Sequence, residues 1–283
     1  MTAPRGEGFL EEKVDAALAG IARVEAQGAE ILALLRAGHG GAAPVPDEPL
    51  PTVPPPAPAP ALAYPADLFG KGWKVTLPLL SDSGDKAWEV LQPALATYSS
   101  PSLELGPDRR SAIFRAHHGA PTTKGSKNPR SELREMTADG LRLRNFSATA
   151  GRHTLDVDLA VNRLTRVKPH VVVAQIHGGD DDITVWRVEG SKLWITRGDE
   201  SHGWLALDGL QLGQRLRLGF TVEGGKVRYR LTGQQIAHEL KTTDGACFFK
   251  AGCYLQSNPS TAPAEDPAAY AEVEIFSITT THT

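Results

Sequence analysis

Phe248-Phe249-Lys250-Ala251-Gly252-Cys253-Tyr254-Leu255-Gln256 alternates two chemistries residue by residue. Successive side chains of an extended chain point to opposite faces, so Phe249, Ala251, Cys253 and Leu255 make an apolar face and Lys250, Tyr254 and Gln256 a polar one. Such a strand belongs to a sheet that packs on a core behind and presents polar groups in front. Two further segments show the same parity. Arg130, Glu132 and Arg134 share one face of Arg130-Ser131-Glu132-Leu133-Arg134, and Gln175 and His177 share one face of Ala174-Gln175-Ile176-His177. Each has an ordinary explanation on its own: an exposed ion-pair ladder, a hydrogen-bonded structural histidine, a surface tyrosine. Their joint occurrence describes a partly cationic groove that suits a polyanion.

Outward from these segments, short alternating or β-branched runs recur at 73–77, 112–116, 153–161, 171–177, 215–222 and 227–231, divided by Gly, Asn, Asp and Pro. No long helical period separates them. The expected fold is all-β, a jelly-roll β-sandwich of antiparallel sheets occupying 67–283. The N-terminal quarter differs. Leu10, Val14, Ala17, Ile21, Val24, Gly28, Ile31 and Leu35 alternate steps of four and three, the seam of an amphipathic helix over 1–37. It predicts a homo-oligomer through a parallel coiled coil over residues 10–35, or a helix laid on its own C-terminal domain. Residues 38–66, rich in Pro, Ala and Gly, read as an extended linker.

A formal net charge of −3 over 283 residues excludes a globally basic nucleic-acid binder. No apolar run is long enough to span a bilayer, so no membrane partner is expected. Residues 1–13 lack the positive start and apolar stretch of a secretory signal. With the helical seam, this points to extracellular action as a component of a virion or other particle, released by lysis. Cys247 and Cys253 sit about 20 Å apart along a straight strand, beyond the ~7 Å reach of a disulfide, and are expected to be buried thiols. His117-His118 and Asp180-Asp181-Asp182 read as loop features without the compact spacing of metal ligands, and no metal site is expected. Neither a phosphate-cradling glycine loop nor a nucleophile elbow occurs.

The segments 130–135, 175–177 and 248–256 resemble the three signature blocks of family 7 polysaccharide lyases, the alginate lyase family, and 73–78 resembles that family's opening strand. The likeness runs from about residue 67 to the C-terminus. It implies a concave jelly roll that binds an acidic polysaccharide, alginate or another polyuronate, across its inner sheet and cleaves it by β-elimination without a cofactor. By the same resemblance Arg130, Gln175, His177 and Tyr254 are catalytic, while Glu132, Arg134, Lys250, Gln256 and Asn258 contact substrate. A base role for Tyr254 requires nearby positive charge, expected from Arg134 or Lys250. Gln175-Ile176-His177 is the form associated with guluronate. Phe248 stands where the family commonly has Tyr, and the N-terminal helix and linker are no part of the family domain. The competing readings are a glucuronan-type lyase, a non-catalytic carbohydrate-binding module and a structural virion appendage. The pair His177 and Tyr254 argues against a pure binder, which has no need of proton transfer.

Overall fold

A computed structural model describes residues 61–198 and 203–283; the helical seam over 10–35 and the proline-rich stretch up to residue 60 lie outside the described residues. Apart from a single turn of helix, α1 (Ala66–Phe69), and a 3-10 turn at Ala94–Thr97, the regular elements of the described residues are strands, so the all-β expectation for this region holds. Among the described residues an eight-stranded sheet runs β10 (Trp204–Asp208), β9 (Lys192–Thr196), β8 (Asp182–Glu189), β7 (His170–His177), β14 (Phe248–Leu255), β5 (Arg130–Glu135), β1 (Trp73–Leu80), β2 (Ala87–Val90). A seven-stranded sheet runs β13 (Gln234–Lys241), β12 (Lys226–Leu231), β11 (Arg215–Glu223), β6 (Arg152–Arg163), β15 (Tyr270–His282), β4 (Ala112–His117), β3 (Leu103–Leu105). Neighbouring strands are antiparallel in both sheets.

The inner faces interlock as alternation requires. Phe249, Ala251, Cys253 and Leu255 of β14 join Leu133 of β5, Ile176 of β7 and Trp186 of β8 in one apolar core with Leu155, Phe220 and Ile275 of the facing sheet. Burying each large apolar side chain contributes about 1.5–3 kcal/mol, which drives the two sheets together. Both cysteines are buried and unpaired, as their spacing requires. A polar tie also crosses the layers. Glu135 Oε1 accepts from His282 Nε2 at 2.6 Å, and His282 Nδ1 lies 2.9 Å from His153 Nδ1. Loop expectations for the paired histidines and the acidic run hold only in part: His117 closes β4, Asp182 opens β8, and buried His118 lies 3.0 Å from Ser257 Oγ.

Strand β14 positions the site. Late in sequence, it inserts between β5 and β7, so three segments far apart in the chain become adjacent strands. Gly252 allows this closeness. Its φ of 144° is one that side chains rarely adopt, and a Cβ there would lie 2.6 Å from the Ser131 carbonyl oxygen and 2.9 Å from Glu132 Cα. Gly252→Ala should therefore push β5 and β14 apart and cost about 2–4 kcal/mol, read as a lowered midpoint in chemical denaturation. An unchanged midpoint would show that the backbone approach is not tight.

Candidate active site

Register across β1, β5, β14 and β7 builds the outer face in rows. One row sets Lys74 opposite Arg134, Arg134 opposite Lys250, and Lys250 opposite Gln175. A second sets Arg130 opposite Tyr254, Tyr254 opposite Val172, and Val172 opposite Arg187. Like charges directly across a sheet repel. Holding Arg134 and Lys250 side by side therefore needs a counter-charge.

Glu132, one position further along the same face of β5, supplies it. It is 1 % exposed, and its Oε2 accepts from Lys250 Nζ at 2.6 Å and from Arg130 Nη1 at 3.2 Å. Its Oε1 accepts from Gln175 Nε2. Burial would raise this carboxyl, but Lys250 and Arg130 together hold it below its ordinary 4.5. Burial pushes the Lys250 ammonium down to about 8 against the pull of Glu132. Two cations on one carboxylate leave the cluster with a net positive charge. Arg130 Nε is buried and has no partner among the described residues, so the guanidinium keeps donor capacity for a ligand.

Tyr254 and His177 flank this cluster. The Arg130 guanidinium lies 3.8 Å from the centroid of the Tyr254 ring and Lys250 Nζ lies 5.8 Å from it. Of the two cations expected beside Tyr254, Lys250 stands there, joined by Arg130, whereas Arg134 stacks on Phe248 at 3.8 Å. Arg134 also donates to the carbonyls of Glu135 and Arg144 and to Asn145 Oδ1, which ties it to the 144–145 segment. His177 packs flat on Phe248, with ring centroids 4.9 Å apart. The Gly178 carbonyl, 2.7 Å from Nδ1, accepts the ring proton and leaves Nε2 as an acceptor. Burial, opposed by that carbonyl and assisted by Lys250, holds His177 below its ordinary 6.5, in the neutral form.

Some neighbours carry no signal in sequence. Ser126 Oγ lies 3.0 Å from Tyr254 Oη and also accepts from the Asn128 N–H at 3.0 Å. Asn128 donates to Gln256 Oε1 at 3.2 Å, and Asn258 donates to Asn128 Oδ1 at 2.5 Å. Gln256 thus lines the groove edge, whereas Asn258 is buried and organises its own loop through Ser260 and Thr261. These loop contacts join residues about 130 apart in sequence, and no periodicity reports them. Among the described residues no cluster of three or more His, Cys, Asp or Glu is placed to hold a metal ion.

The family described as alginate lyase matches residues 66–282. The alginate lyase of a Corynebacterium species is 40 % identical with a TM-score of 0.74, the match covering 78 % of this chain and 98 % of that one. An alginate lyase of polysaccharide lyase family 7 is 38 % identical with a TM-score of 0.72, covering 78 % of this chain and 99 % of that one. The marine family 7 alginate lyase from Zobellia galactanivorans, 22 % identical with a TM-score of 0.64 over 78 % of this chain and 100 % of that one, shares the fold. No curated protein matches the sequence.

Because Glu132 is held below its unfolded value of 4.5, its contribution to stability is full above that pH and is lost as pH falls through the folded value. Glu132→Gln should remove this acid-sensitive component. It should also cost about 3–5 kcal/mol at neutral pH, since Lys250 and Arg130 lose their buried counter-charge. Denaturation midpoints that coincide with the unmodified protein at every pH would contradict the central place given to Glu132.

Proposed function

The chain belongs to the alginate lyase family, and we propose that it cleaves alginate by β-elimination in the groove around Glu132. The observation that carries this reading is one buried carboxylate holding Arg130, Lys250 and Gln175 together between a neutral imidazole and a tyrosine hydroxyl.

The chemistry sets the requirement. The C5 proton of a uronate is weakly acidic because removing it pushes negative charge towards a carboxylate that is already charged. Arg130, with its unspent Nε donor, and Gln175 are placed to receive that carboxylate, and the net positive cluster stabilises the enolate-like species, as preorganised donors do. A base takes the C5 proton, the C5–H electron pair becomes the C4–C5 double bond, and the C4–O bond breaks. The leaving oxygen departs with the C4–O bonding pair and takes a proton from the acid. Tyr254 serves as the acid and, depending on the epimer, also as the base; His177, with Nε2 unprotonated, is the base or the partner that neutralises the carboxylate. Glu132 orients the cations, while Arg134, Lys250, Gln256 and Asn258 serve the flanking sugars, Arg134 and Asn258 by fixing loops at the groove's rim. The Gln175-Ile176-His177 form favours guluronate as the preferred unit.

Tyr254→Phe should lower the rate of unsaturated-end formation at least ~10³-fold while polyuronate affinity stays within a few fold. The acid limb of kcat/KM should lie below pH 6.5, where burial holds His177. Substantial residual turnover in the variant, or an acid limb above 6.5, would sink these assignments.

The heptad pattern over residues 10–35 supports a further part of the proposal, a self-associating lyase carried on a virion or similar particle and released by lysis. Sedimentation should give a multiple of the chain mass that falls to the monomer on deletion of 1–37. A monomeric full-length chain would remove this part of the reading.

A further inference from the structure

At Tyr254 the outer face opens into a cavity of about 340 Å³ that extends away from the cluster around Glu132. Tyr254, Gln256 and Asn128 wall one side; Lys168, His170 and Arg187 line the other. A bulge in β7 creates it. The register of β7 on β8 shifts between Val172 and Ala174, so His170 and Val172 turn to the same face as Gln175 and His177. Tyr254 then sits opposite Val172, and Val172 opposite Arg187. At about 4.8 Å per strand, Arg187 lies roughly 10 Å across the sheet from Tyr254, about the length of two sugar units of a polyuronate laid across the strands.

The charges of this cavity are unevenly matched. Arg187 Nη2 pairs with Glu189 Oε1 at 2.6 Å, and His170 Nδ1 lies 3.8 Å from the same oxygen. Asp182, opposite His177, is at the other end of the cavity. Lys168 is half-buried, and its ammonium has no hydrogen bond or ion pair among the described residues. Burial and then Arg187 push this ammonium below its ordinary value, with Glu189 opposing. An ammonium partly withdrawn from water, whose nearby carboxylate Glu189 is engaged by Arg187, is incompletely compensated and therefore costly. Its cost is offset if the counter-ion arrives with the ligand, and in a groove for a polyuronate every sugar carries one.

We propose that Lys168, beside Arg187, forms a second carboxylate subsite that grips a uronate about two units along the chain from the one being cleaved. This rests on the polyuronate reading of the groove and extends it. The subsite makes chain length matter: oligomers that reach Lys168 bind more tightly than those that stop at Tyr254.

The test uses the full chain and the variants Lys168→Gln and Lys168→Glu, with oligouronates of graded length and unsaturated-end formation and calorimetric affinity as readouts. In the unmodified protein KM and Kd should fall as the oligomer lengthens past the catalytic cluster. Lys168→Gln should cancel about tenfold of that gain and Lys168→Glu more, with kcat retained and short oligomers unaffected. Unmodified protein that binds with this length dependence yet turns nothing over would uphold the subsite and refute the lyase reading. Variants equal to the unmodified protein at every length, or equally weakened at all lengths, would overturn the subsite.

Discussion

A buried carboxylate, Glu132, is the constraint on which the outer face of the large sheet depends. Taking an anion out of water is expensive unless it is fully paired, and Glu132 is paired on both oxygens, by Lys250 and Arg130 on one and Gln175 on the other. The dependence is mutual. Without the carboxylate, Lys250 and Arg130 repel each other in a half-dry sheet; with it, they stand as a fixed array with positive charge to spare. That surplus is what an arriving uronate carboxylate meets, and its donors need not reorganise when charge develops at the reacting carbon.

The topology exists to make that pairing local. The three segments that meet at Glu132 are brought side by side because β14 threads between β5 and β7. Gly252 sits opposite Glu132 itself, so a tight backbone approach coincides with the most demanding electrostatic site of the sheet. Behind the face, Glu135 and His282 link β5 to the second sheet, and Arg134 links it to the 144–145 segment. The strand carrying Arg130 and Glu132 is therefore held from front, back and edge, as positioning within a fraction of an ångström requires.

Much of this was legible in the chain. Alternation assigns Phe249, Ala251, Cys253 and Leu255 to the core and Lys250 and Tyr254 to the groove, because period-two parity survives wherever a strand runs unbroken. It fails at the β7 bulge, which turns His170 and Val172 onto the groove face although strict parity from Gln175 puts them behind it. Residues brought in by loops were also hidden: Ser126 reaches Tyr254, and Asn128 joins Gln256 to Asn258, through contacts that no local pattern encodes. Arg134 shows the limit of parity within a strand. It lies on the expected face, yet its guanidinium turns to Phe248 and leaves Arg130 over Tyr254. Parity fixes the side on which a residue lies and leaves its partner to side-chain packing.

The most direct test is the ultraviolet absorbance of the conjugated double bond formed at C4–C5, followed while the purified protein is mixed separately with polyguluronate, polymannuronate, glucuronan and a neutral glucan. A rise on an alginate polymer, larger for polyguluronate, and none on the neutral glucan is the result that carboxylate-dependent elimination predicts. No rise on any polyuronate, with binding still detected, would contradict it and leave the groove as a binding surface.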